Sequence, residues 1–169
     1  MLGQLVDAGN TTTLAHYLDL LETAFLVSGL PLYSAGVPRK RAGSPKLILW
    51  NNALMNAFCG RRTAAARKDG AWWGRLVENA VGAHLLNGLH RASYRISYWR
   101  NGGEKVNFVV AHGSSVWAVE VKSGRPAKLS GLSAFRTRYP KAEALLVGSC
   151  GIPLAEFFAR PAATWFGGE

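Results

Sequence analysis

Glu120 and Lys122 are the two residues of this chain whose types and spacing best suit phosphate chemistry. They lie within Val116-Trp-Ala-Val-Glu-Val-Lys122, a run rich in β-branched and aromatic residues that predicts a strand. Side chains alternate across a strand, so Glu120 and Lys122 share one face and Trp117, Val119 and Val121 take the other. A carboxylate and an ammonium projecting together can hold a divalent metal and steady the charge of a scissile phosphate. The same pair also serves as an ion pair on many ordinary strands, so the surrounding elements must decide between the two.

Upstream, residues 72–89 are expected to form a helix with Val77, Val81 and Leu85 on one stripe. Glu78 falls at the edge of that stripe, and Gly82, one turn later, is expected to leave room beside the carboxylate. Three strands follow at 94–100, 104–110 and 115–122, separated by the turn signals Asn101-Gly102-Gly103 and His112-Gly113-Ser114. A helix at 129–138 and a strand at 143–148 give the order αβββαβ. The tail, 152–166, is expected to hold a short helix and a final strand or cap. Ahead of this unit, residues 10–25 read as a helix with Leu14, Leu18, Leu21 and Phe25 as its apolar stripe. Extended segments at 25–30 and 46–50 follow, then a short helix at 51–58. A helix followed by a long-looped hairpin matches the back half of a winged helix. The basic, Ala-rich stretch 61–68 reads as a linker. The chain is thus divided into a partial winged-helix-like segment (1–58), a linker (59–70) and an α/β domain (71–169).

The chain has 169 residues and a net charge of +10, which suggests a polyanionic partner. Residues 1–38 carry no Lys or Arg and three acids, so the remainder carries +13. The loop with Arg39, Lys40 and Arg41 is the best phosphate contact of the early segment, and Arg100 and Lys105 are the basic candidates on the strands. On the helix at 10–25 only Thr11, Thr12, Thr13 and His16 could read a groove, and Asp19 and Glu22 oppose it, so packing is its expected role. Cys59 and Cys150 lack partners at metal spacing, which suits a reducing cytoplasm. His16, His84, His90 and His112 likewise form no ligand pair. No apolar run is long enough to span a bilayer, and no phosphate loop is present.

With Glu78 on the first helix and Glu120-Val-Lys122 on the third strand, the order of elements resembles the PD-(D/E)XK nuclease superfamily. Several stretches narrow the likeness: Asn10-Thr-Thr-Thr-Leu-Ala-His-Tyr-Leu-Asp-Leu-Leu-Glu22, Ser44-Pro-Lys-Leu47, Trp73-Gly-Arg-Leu-Val-Glu-Asn-Ala-Val-Gly-Ala-His-Leu85, Tyr98-Trp-Arg100 and Val119-Glu-Val-Lys-Ser-Gly124. Together they resemble the C-terminal domain of unknown function carried by prokaryotic AAA-type ATPases, in which a winged helix precedes a nuclease-like domain. The resemblance implies a restriction-endonuclease-like αβββαβ core after a partial winged helix, without the ATPase domain. It also implies a catalytic set of Glu78, Asn107, Glu120 and Lys122, with Mg²⁺ held by the first three. The family carries Asp where Asn107 stands. An amide brings no charge to a hard cation, so the site is expected to be weakened and Lys122 freed to pair with Glu120. By strand parity Glu104, the nearest substitute, falls on the face opposite Asn107.

Three readings remain. The first is a nuclease-like DNA-binding module of an ATP-binding protein, with weak or no cleavage. The second is an active Mg²⁺-dependent endonuclease. The third is an interaction module that binds the ATPase domain or subunit, or another copy of the chain, with Trp72 and Trp73 as exposed candidates. A cytoplasmic location, away from membranes, is expected in each.

Overall fold

Strand order and helix placement follow from where the apolar side chains fall. The computed structural model describes residues 11–34, 44–60, 63–89, 93–124, 129–149 and 151–167. Its principal sheet has four strands in the order β3 (Arg95–Asn101), β4 (Glu104–His112), β5 (Ser115–Lys122) and β6 (Glu143–Gly148). The β3–β4 and β4–β5 pairs are antiparallel and β5–β6 is parallel. A smaller antiparallel pair joins β1 (Val27–Leu30) to β2 (Lys46–Leu49). The architecture is mixed α/β.

Helix α4 (Gly70–Leu89) covers one face of the principal sheet. Asp69 caps it, accepting the Ala71 and Trp72 N–H groups on its carboxylate. Val77, Val81 and Leu85 face inward as the heptad-like spacing requires, against Phe108, Val110, Trp117, Val119 and Val121. The second face of the sheet packs Val106, Val109 and Ala118 on Leu132 and Phe135 of α5 (Ser130–Arg138). Gly131 makes that approach possible, because a Cβ there would fall 1.9 Å from the Lys105 carbonyl oxygen.

The early segment joins the same core. Leu30 and Ile48 lie in the cluster with α4. Beyond β1, Tyr98 N–H donates to the Pro31 carbonyl and Tyr33 N–H donates to that of Tyr98, which attaches this segment to the edge of β3. At residues 11–30 the chain forms helix α1 (Thr11–Thr23) and then β1. The expected stripe on α1 is not a core stripe: Leu21 and Phe25 are exposed. Helical periodicity of apolar residues alone did not bury it. Residues 53–58 form α2 (Ala53–Phe58). Residues 63–68, expected as linker, form α3 (Thr63–Lys68) instead, since three consecutive alanines favour helix and Ala66 is buried. The tail folds into α6 (Leu154–Ala159) and a 3₁₀ turn (Ala162–Phe166), with Ile152 making a single bridge to Val147 in place of a final strand. No helix among the described residues is long and apolar enough to cross a membrane.

Candidate functional site

Between Ser97 and Trp99 the pairing of β3 with β4 slips. Ser97 faces Val109 but Trp99 faces Val106, so β4 holds one residue more than β3 across this step. Such a bulge re-aims the side chains beside it. It explains why Val106 packs with Val109 on the α5 side while Phe108 and Val110 face α4. The pairing runs without a shift from Val106 back to Glu104, so Glu104 shares the α5 side with Val106, away from the Glu78 that Asn107 reaches. Glu104 is not among the residues that line the cavity described next.

At the bulge the recorded β4–β5 partners end at Phe108 and Val119. The side chain of Asn107 continues the connection: its Oδ1 accepts the Val121 N–H at 2.9 Å. Its amide also hydrogen-bonds to the Glu78 carboxylate. Asn107 is thus buried with its polar groups used. Around it opens a cavity of about 340 Å³, lined among others by Arg75, Glu78, Lys105, Asn107, Glu120 and Lys122. The structure brings together the four residues that the resemblance singled out, and Lys105 with them. Arg100 lies on β3 opposite Lys105 and is exposed, outside that lining. Arg39, Lys40 and Arg41 lie outside the described residues.

Two ion pairs occupy this region. Lys122 Nζ lies 2.7 Å from Glu120 Oε1, and Glu120 is buried. Its second oxygen, Oε2, is buried with no hydrogen-bond partner. Lys46 Nζ lies 2.5 Å from Glu78 Oε1 and also donates to the Asn107 carbonyl at 2.8 Å. The Lys46 ammonium sits 4.1 Å from the centre of the Phe108 ring as well, within cation–π range. In the sequence Lys46 shows no sign of this role, being only the polar start of the strand that follows Ser44-Pro45.

Burial opposes the charge on Glu78, but Lys46, the Asn107 amide and Lys105 together hold its carboxyl below the usual value. Burial lowers Lys46 too, only partly offset by Glu78 and more weakly by Glu120. The two partners' shifts thus point in opposite senses for the strength of the pair. The direction that governs neutral pH is that of Glu78, because an ammonium bonded to both a carboxylate and a carbonyl keeps its proton.

Asn79, also unforeseen, holds Lys46 in place. Leu49 N–H donates to Asn79 Oδ1 at 2.9 Å, and Asn79 Nδ2 donates to the Leu49 carbonyl at 3.0 Å. The buried amide thus stands in for a neighbouring strand along β2. Gly82 serves packing and not the carboxylate: a Cβ there would lie 2.9 Å from the Phe108 ring. Trp72 and Trp73 are half-buried rather than exposed. Trp72 donates to Asn56, and Trp73 packs on the α4 core with Arg67 over its ring.

Mg²⁺ requires near-octahedral oxygen ligation and few compromises in geometry. Here each carboxylate already holds an ammonium, and Asn107 Oδ1 is committed to Val121. Glu120 Oε2 is the one lining carboxylate oxygen found buried without a partner. No group of three or more His, Cys, Asp or Glu suited to a metal occurs among the described residues. As paired here, these residues do not fit Mg²⁺.

Residues 73–152 match the family model of a domain of unknown function, DUF4143. Residues 3–65 match a second, that of the domain of unknown function DUF8612. The first match covers α4 from Trp73, the whole principal sheet and α5, and so contains every cavity residue named above. The second contains Lys46. No curated protein and no solved structure matches the chain.

Proposed function

We propose that the α4–β6 unit is a nuclease-like domain that binds nucleic acid and cleaves weakly or not at all, as a C-terminal module of an AAA-type ATP-binding protein. The observation that carries this reading is the gathering of Glu78, Asn107, Glu120 and Lys122 around one open cavity whose lining also holds Arg75 and Lys105. With Lys46 and Lys122 offsetting the two carboxylates, Arg75 and Lys105 remain to give the cavity a positive balance toward a phosphate. The helix and antiparallel hairpin at 11–49 support the partial winged-helix reading, with a packing role through Leu30 and Ile48.

Fluorescence anisotropy on labelled duplex and single-stranded DNA tests the proposal. Binding should tolerate sequence and weaken linearly in log affinity against log salt. Replacing Arg75 or Lys105 with Ala should reduce that slope by about one each. Absent binding at low salt, or binding flat against salt, would defeat it. Incubation of plasmid with Mg²⁺ or Mn²⁺ tests cleavage, and nicking that persists in Glu120→Ala would have to be contamination.

One observation favours an interaction module instead. Tyr17, Leu20, Phe25, Leu26 and Phe58 are exposed on or beside α1 and α2, more large apolar surface than this region needs for packing. Size-exclusion chromatography with and without DNA separates this reading. Self-association or ATPase capture without DNA binding would favour it.

A further inference from the structure

Lys46 is a cation of the early segment that binds two residues of the cavity lining, Glu78 and Asn107, and the nuclease-like reading has no use for it. Its ammonium is bound as a small cation would be, by the Glu78 carboxylate, the Asn107 carbonyl oxygen and the face of Phe108. It is also delivered by a fixed backbone. Ile48 is buried in the core, and Asn79 holds both backbone groups of Leu49. A tethered ion of this kind competes at high effective concentration with any ion from solution.

We propose that Lys46 is a built-in counter-ion in the place of a divalent metal, so that the cavity is a latent hard-cation site closed by the chain's own charge. Without Lys46, Glu78 would regain a free oxygen and the Asn107 carbonyl would lose its donor. Glu120, whose Oε2 is buried and unpartnered, is a lining residue of the same cavity. These are the carboxylate and carbonyl oxygens that hard divalent ions select. The same arrangement explains how Asn can stand at position 107, since the charge that Asp would balance is balanced on Glu78 instead.

The experiment is a Mn²⁺ titration of the full chain, reading the free ion by electron spin resonance in the absence of DNA. Lys46→Met should bind one Mn²⁺ about tenfold or more tightly than the parent. Lys46→Arg, which retains the charge, should bind no better than the parent. Adding Glu120→Gln to Lys46→Met should abolish the gain. Lys46→Gln removes the charge but keeps a donor for the Asn107 carbonyl, and it carries the test if Lys46→Met does not fold. No gain in the neutral variants, an equal gain in Lys46→Arg, or a gain that survives Glu120→Gln would each overturn the proposal. Because the titration contains no DNA, its failure is distinct from a failure of nucleic-acid binding.

Discussion

The two Glu–Lys pairs beside the cavity differ in how they are built. Glu120 and Lys122 come from one strand, two residues apart, and form an under-satisfied pair: Glu120 is buried and one of its oxygens has no partner. Glu78 and Lys46 come from α4 and β2, distant in the chain, and are better supported. Lys46 has a second acceptor in the Asn107 carbonyl, and Glu78 has a second donor in the Asn107 amide. The local pair marks the strand on which the site lies. The remote pair shapes what that site can accept.

The difference is tested first on the local pair, where the largest loss is expected. Lys122→Ala leaves Glu120 in the interior without its ammonium. Breaking a buried pair in this way should lower stability by about 3 kcal/mol, read as a shift in the urea midpoint at neutral pH. The double variant Glu120→Gln, Lys122→Met should recover most of the loss, because no charge is then stranded. An unchanged midpoint in Lys122→Ala would show that water reaches Glu120.

Lys46→Met should have a smaller effect, about 1–2 kcal/mol, because both partners remain partly hydrated. Its signature is the dependence on acid. The folded state holds the Glu78 carboxyl below its ordinary value near 4.5, and Lys46 is the first favourable cause. The parent's contribution from this group is therefore complete above about pH 4.5 and lost as pH falls through the lowered value. In Lys46→Met that acid-side loss should flatten. Denaturation curves between neutral pH and pH 3 measure both arms.

What the sequence made legible was short-range and periodic. The α4 stripe, the alternation of Trp117, Val119 and Val121, and the turn at Asn101-Gly102-Gly103 each depend on neighbours a few residues away, and each is found as expected. Four features were not legible because their causes lie elsewhere in the fold. On α1, Leu21 and Phe25 of the stripe stay exposed, which the spacing alone does not reveal. The bulge in β4 arises from its pairing with β3 and leaves no mark in the local alternation. Lys46 looks like the polar start of an apolar strand until α4 brings Glu78 to it. Asn79 stands next to Glu78 in a quoted stretch, yet only the approach of β2 gives its amide both Leu49 groups to satisfy.

Asn107 joins the two pairs, and its change to Asp should give the smallest effect of the three. From the sequence it looked like a carboxylate lost. In the fold its side-chain oxygen carries the Val121 N–H on the strand of Glu120, its carbonyl accepts from Lys46, and its amide donates to Glu78. Asn107→Asp keeps an acceptor for Val121 but replaces the donor to Glu78 with a like charge. That repulsion raises the Glu78 carboxyl, while Lys46 and Lys105 offset much of it. The expected change at neutral pH is therefore within about 1 kcal/mol, with the acid-side loss beginning at higher pH than in the parent. Asn107→Leu, which supplies neither acceptor nor donor, should lose about 2 kcal/mol by stranding the buried Val121 N–H. Equal losses in the two variants would mean that the strand contact contributes little and that Asn107 acts through Glu78 alone.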